Sequence, residues 1–196
     1  MATAIEHAQE FARLLRTRDE TKCIKYIDEY NDFYDIAVNK DRNSLYTPLT
    51  FACFYGLKQV ALKLIHAGAN VNLVSKIYTP LYCACGYYGD NNIVTELIRQ
   101  GVDINYKYKK CSPLLLALTF EKLDIIITLI KAGANFLDII DKHDHLTQKI
   151  MLCIRDAYRL RIKSVIDDNT NDNAMAISFK TIYVSGIIDI ISKFII

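Results

Sequence analysis

The same apolar stripe occurs three times along the chain. Val60, Ala61, Leu64 and Ile65 are echoed by Ile93, Val94, Leu97 and Ile98, and again by Ile125, Ile126, Leu129 and Ile130. Apolar residues spaced in this way fall on one side of an α-helix, so each stretch predicts an amphipathic helix. A shorter apolar segment precedes each one and opens with Thr47-Pro48-Leu49, Thr79-Pro80-Leu81 or Ser112-Pro113-Leu114. A hydroxyl side chain can cap a helix N-terminus, and proline at the first helical position gives up no hydrogen bond. Each opening therefore predicts a short first helix; "LTFACFY" is the first of them and ends near Gly56. Gly68, Gly101 and Gly133 follow the second helices, where a left-handed C-cap is expected.

The openings lie 32 and then 33 residues apart, and the closing glycines 33 and then 32. A fixed period of about 33 residues makes each unit one supersecondary element. A single helix pair cannot bury its own stripe, so neighbouring pairs must stack. The flanks carry weaker copies. Aligned from Asp19 as from Gly56, Cys23, Ile24 and Ile27 take the stripe positions, so "EFARLLRTRDETKCIKYID" reads as an N-terminal capping pair. From Gly186, Ile190, Ile191, Phe194 and Ile195 do the same, and "LTQKIMLCIRDAYRLRIKSVIDD" reads as a degenerate pair between. The expectation is six stacked helix pairs in one continuous all-α solenoid. Residues 1–40 form a degenerate cap, 41–137 three well-matched units, and 138–196 a degenerate unit with capping helices. Polar "DDNTNDN" is a loop within it, because apolar helical pattern resumes directly afterwards.

These residues resemble the ankyrin-repeat family. Its TPLHxA motif is matched by Thr47, Pro48, Leu49 and Ala52, by Thr79, Pro80, Leu81 and Ala84, and by Ser112, Pro113, Leu114 and Ala117. The family histidine is replaced by Thr50, Tyr82 and Leu115, "CGYYG" holds a one-residue insertion, and Glu121 stands where a glycine is expected between helices. The resemblance implies an ankyrin-repeat solenoid whose short first helices and outward loops line a concave partner-binding face.

Composition narrows the function. Hydrophobic residues make up 52% and charged residues 23%, a globular balance. The net charge of +2 creates no overall field for a nucleic acid or an anionic membrane. The stretch from Met1 to Thr21 is too charged for a signal peptide, and "VSGIIDIISKFII" is too short to span a bilayer. The six cysteines are scattered without metal-type spacing, which predicts reduced thiols in a soluble intracellular protein of cytoplasm or nucleus.

Candidate chemistry is sparse. No phosphate-binding glycine loop, zincin helix or nucleophile elbow occurs. Cys83 and Cys85, two apart on a helix, point to different faces and read as packing; Cys153 lies on an apolar stripe with Ile150 and Ile154. His143 and His145 flank Asp144 without a third ligand at helpful spacing, and His66 suits the last turn of its helix. The chain is therefore read as non-catalytic, with no metal and no cofactor.

Under the resemblance, the concave side gathers Phe54 and Tyr55, Tyr87 and Tyr88, and Thr119 and Phe120 at the ends of the first helices. Its loop tips bring Arg42, Asn43 and Tyr46, then Ser75, Lys76 and Tyr78, then Tyr108, Lys109 and Lys110. Some of these rings are expected to pack between repeats. Aromatic residues and arginine are enriched at binding hot spots. The predicted partner-binding set is thus Arg42, Tyr46, Phe54, Tyr55, Lys76, Tyr78, Tyr87, Tyr88, Tyr108, Lys109, Lys110 and Phe120, and the expected partner a protein with acidic and apolar features. A composition rich in Ile, Asn, Lys and Tyr suits an AT-rich genome. The resemblance then suggests a monomeric effector of an intracellular bacterium, or a factor of a large DNA virus, that meets a host protein in the host cytoplasm. A housekeeping scaffold or regulatory subunit is the alternative. Nucleic-acid binding, through stacking rings and lysines, is the alternative of another class.

Overall fold

The computed structural model describes residues 3–41, 44–75 and 78–135, with isolated positions between 150 and 159. The chain divides into two compact units, Met1–Asn135 and Phe136–Ile196. In the second, the described positions are helical; Ile150 is buried and Leu152 exposed. Helices expected beyond these positions, including the C-terminal cap, lie outside the described residues, as do His143, His145 and Cys153.

The first unit is built from α1 (Ala4–Thr17), α2 (Glu20–Glu29), β1 (Val38–Asp41), β2 (Ser44–Tyr46), α3 (Pro48–Tyr55), α4 (Lys58–His66), α5 (Pro80–Ala84), α6 (Asn91–Arg99), α7 (Pro113–Thr119) and α8 (Leu123–Lys131). Helices pair as α1 with α2, α3 with α4, α5 with α6 and α7 with α8. The pairs stack so that α1, α3, α5 and α7 form one row and α2, α4, α6 and α8 the other. The rows share one apolar core, in which Phe11, Leu15, Phe51, Leu64, Leu81, Ile93, Leu97, Leu114 and Ile126 are fully buried. The stripes of α4, α6 and α8 face this core, apart from Ile98, which is half-buried.

One capping geometry recurs. The Thr47 hydroxyl accepts from Thr50 N, that of Thr79 from Tyr82 N and that of Ser112 from Leu115 N, each at 3.1 Å. At the first of the replaced histidines, the buried Thr50 hydroxyl donates to Thr47 O at 2.9 Å. At the far end, Gly68, Gly101 and Gly133 have φ of 94°, 76° and 100°. Gly68 N bonds Ile65 O and Ala69 N bonds Leu64 O, and the same pair of bonds closes α6 and α8. This is the Schellman arrangement, which satisfies carbonyls that the helix leaves open.

The turn between paired helices corrects the N-terminal alignment by one residue. The left-handed residue before α2 is Arg18 (φ 57°), and Asp19 is its N-cap; before α4 they are Gly56 (φ 65°) and Leu57. Cys23 therefore corresponds to Ala61 and Ile27 to Ile65, and both are buried, whereas Ile24 is half-buried. The stripe uses two adjacent positions in each turn, Val60 with Ala61 and Leu64 with Ile65, so an alignment shifted by one still places part of it correctly.

Stacking is also held by polar contacts that the apolar pattern does not reveal. Asn72 Oδ1 accepts from Asp103 N at 2.7 Å and Asn105 Oδ1 from Asn135 N at 2.7 Å, tying each loop to the next. Asn72 also donates to Gly101 O at 3.2 Å. Glu20 on α2 accepts from Val60 N at 3.1 Å, which caps α4 from the neighbouring pair. The outward loops are hairpins: β1 pairs antiparallel with β2, and single bridges join Ser75 to Tyr78 and Tyr108 to Cys111.

Candidate functional site: an aromatic groove on the first-helix row

The repeat that opens at Thr79 departs from the pattern of its neighbours to make a groove. Its first helix stops at Ala84, and Gly86-Tyr87-Tyr88-Gly89 forms a turn before α6. Tyr87 and Tyr88 thus stand on a loop instead of ending a helix, because the insertion lies between two glycines. A Cβ on Gly89 would meet Ala84 O at 2.7 Å and Gly86 O at 2.8 Å, so the turn is folded tightly onto the helix end. Tyr87 is 67% exposed, Tyr88 42% and Phe120, at the end of α7, 37%.

Between these rings lies an apolar cavity of about 260 Å³, lined by Phe54, Tyr78, Tyr82, Leu116, Phe120 and the two loop tyrosines, with Cys83 and Gly86 at its floor. Tyr87 meets Tyr88 edge to face at 4.9 Å and Phe120 at 6.0 Å. Tyr78 stacks on Tyr46 at 5.1 Å and an interplanar angle of 19°. Such offset and edge contacts hold aromatic rings in fixed orientation.

Positive charge flanks the groove. The Arg18 guanidinium lies 4.9 Å from the centroid of Tyr88 and 5.1 Å from that of Tyr55. On the other side, Tyr82 meets the Cys111 thiol; burial, then that contact, raises its phenol well above its usual range. Cys111 closes a two-residue hairpin whose tip is Lys109 and Lys110, both exposed. Their φ values, 52° and 100°, suit a type I′ turn, which asparagine and glycine fill with less strain. Lys109 Nζ sits 5.5 Å from the Tyr108 ring.

The residues predicted to bind therefore divide. Phe54, Tyr78, Tyr87, Tyr88 and Phe120 come together in the groove, and Tyr55 stands at its rim through Arg18. Lys109 and Lys110 are exposed, and Tyr108 half-buried, on the hairpin that joins the groove wall through Cys111 and Tyr82; none of the three lines the cavity. Tyr46 is corrected: at 2% exposure, against Phe51, Phe54 and Tyr78, it packs between repeats and offers no contact surface. Arg42 and Lys76 lie outside the described residues. Sequence reasoning missed Arg18, Tyr82 and Leu116. Arg18 could have been found from its position, since it occupies the left-handed turn that Gly56 fills one unit later.

Elsewhere the titratable groups serve structure. Burial pushes the thiol of Cys23 up to about 11, and raises those of Cys53 and Cys85 well above the ordinary value. A thiol held protonated in this way is a poor nucleophile and a poor metal ligand. Among the described residues no cluster of three or more His, Cys, Asp or Glu is placed to hold a metal. Hydrogen bonds from Arg99 and then Gln100 lower Glu96 to about 2, and His66 meets the same carboxylate at 3.2 Å.

Residues 44–76 and 78–109 each match the family model for the ankyrin repeat. The unit opening at Ser112 repeats the same cap, helix pair and closing glycine beyond the matched segments. The fold of the first compact unit is that of an all-α ankyrin-repeat solenoid, and such repeats indicate a protein–protein interaction module. No curated protein matches the chain. Among the described residues, no helix is long and apolar enough to cross a membrane.

Proposed function

We propose that this protein is a non-catalytic adaptor that grips a partner protein through the aromatic groove and adjoining hairpin tips. The observation that carries the reading is the exposure of Tyr87, Tyr88 and Phe120 around one apolar cavity. Aromatic anchors in a preformed depression give affinity at low entropic cost, and nearby cations speed association. The finer reading, a bacterial effector or viral factor that engages a host protein, is supported by composition alone. The housekeeping scaffold is the same mechanism with a resident partner.

The test is affinity capture from a eukaryotic cell lysate with wild type and with a Tyr87→Ala, Phe120→Ala double variant, both shown to be folded by circular dichroism. A protein retained by wild type and lost by the variant supports the groove. Equal recovery places the contact surface elsewhere, and recovery of nucleic acid alone favours the other class of partner.

A further inference from the structure

We propose that the groove is specific for a peptide segment of its partner that inserts a large apolar side chain beside a carboxylate, with Arg18 receiving the carboxylate. The inference rests on the reading of the groove as a protein-binding site and names the chemistry of what it takes.

Arg18 is placed unusually. It stands in a left-handed turn where the following unit has Gly56, a conformation that costs an arginine energy and a glycine almost none. The guanidinium carbon lies over both the Tyr55 and the Tyr88 ring, which holds the cation at the groove rim and recovers part of that cost. Among the described residues no carboxylate lies within ion-pair distance of it, whereas Arg13 and Arg99 each have one. A stacked, exposed guanidinium keeps its donors free for a planar bidentate acceptor, which a carboxylate matches and which costs little further ordering.

Tyr88 belongs both to this stack and to the cavity wall, so the cation and the apolar cavity share one ring. The lining of the cavity is carbon and aromatic, with space for one large side chain. Lys109 and Lys110 are exposed at the tip of the hairpin whose Cys111 meets Tyr82 of the groove wall, and add positive charge to this face. Glu121, which follows Phe120, lines a separate depression with Asn91 and Lys122 and does not enter the groove. The charge pattern thus favours acidic residues flanking an apolar anchor. A base with its phosphate would also find a ring and a cation here, and is distinguished by experiment.

The experiment is selection of a random dodecapeptide phage library on the full chain, followed by fluorescence anisotropy with the selected peptides and, separately, with labelled oligothymidine. Arg18→Gly removes the guanidinium while relaxing the turn, so the fold is retained; Phe120→Ala opens the cavity wall. The expected result is enrichment of Asp or Glu next to Phe, Leu or Trp. Binding should weaken roughly tenfold or more with Arg18→Gly, and this loss should vanish for peptides in which the acid is replaced by its amide. Peptides that need Phe120 but are indifferent to Arg18 and to acid would overturn the inference and leave the groove as a binding site. Peptides indifferent to both variants would overturn both readings, as would oligothymidine that binds at Arg18 and displaces nothing acidic. Failure to select any peptide would also overturn the inference.

Discussion

Gly56 is where backbone geometry, repeat stacking and the groove meet. Its φ of 65° belongs to the left-handed region, and a Cβ built on it would lie 2.5 Å from Tyr88 O and 3.2 Å from Tyr88 Cβ. Replacing it with alanine costs roughly 1–2 kcal/mol for the left-handed conformation alone. The carbonyl must also retreat from the new methyl, and overpacking of this kind adds about 1–3 kcal/mol. Gly101 supplies the control, because its φ is 76° but nothing lies within 4 Å of its Cβ position. Gly101→Ala should therefore cost roughly 1–2 kcal/mol, and Gly56→Ala about 2–5 kcal/mol. Urea denaturation followed by circular dichroism measures both, and in a chain of this size the thermal midpoint should fall by about 2–4 °C per kcal/mol. The strain on Tyr88 also predicts weaker partner binding by Gly56→Ala than by Gly101→Ala, with both proteins folded. Equal costs for the two variants would refute the argument, since the Tyr88 contact would then add nothing to the strain shared by both.

Two further predictions concern stability. Glu121 adopts φ 53° at the position that Gly56 fills two units earlier, so Glu121→Gly should stabilise the chain by roughly 0.5–1 kcal/mol, once the added freedom of the unfolded chain is subtracted from the relief; a lower denaturation midpoint would count against it. Glu96 is held near 2 by Arg99 and Gln100, below its ordinary 4.5. A depressed carboxylate stabilises the fold fully above its unfolded value and loses that contribution as pH falls towards 2. The stability gap between wild type and Glu96→Gln should therefore be constant above about pH 5 and close below it; a gap that persists at acid pH would mean that the carboxylate's charge is irrelevant.

The local grammar of the fold is written in short stretches of sequence. Thr47, Thr79 and Ser112 each precede a proline and cap a helix, and Gly68, Gly101 and Gly133 each close one, because these effects act within a single turn of chain. The recurrence of the same stripe at a fixed spacing forces stacking, since no one helix pair can hide its own apolar side. What the sequence alone determined is therefore the repeat, its period and its helices. Tertiary structure decided which side chains remain available. Tyr46 and Tyr87 look alike in the sequence, yet one is sealed between neighbouring repeats and the other is turned outward by a loop pinned between Gly86 and Gly89. Arg18 and Tyr88 are seventy positions apart in the numbering and meet only because successive helix pairs stack in register. Exposure and charge placement depend on contacts between units, which a local pattern does not encode; the helices that make those contacts possible depend on residues a turn apart, which it does.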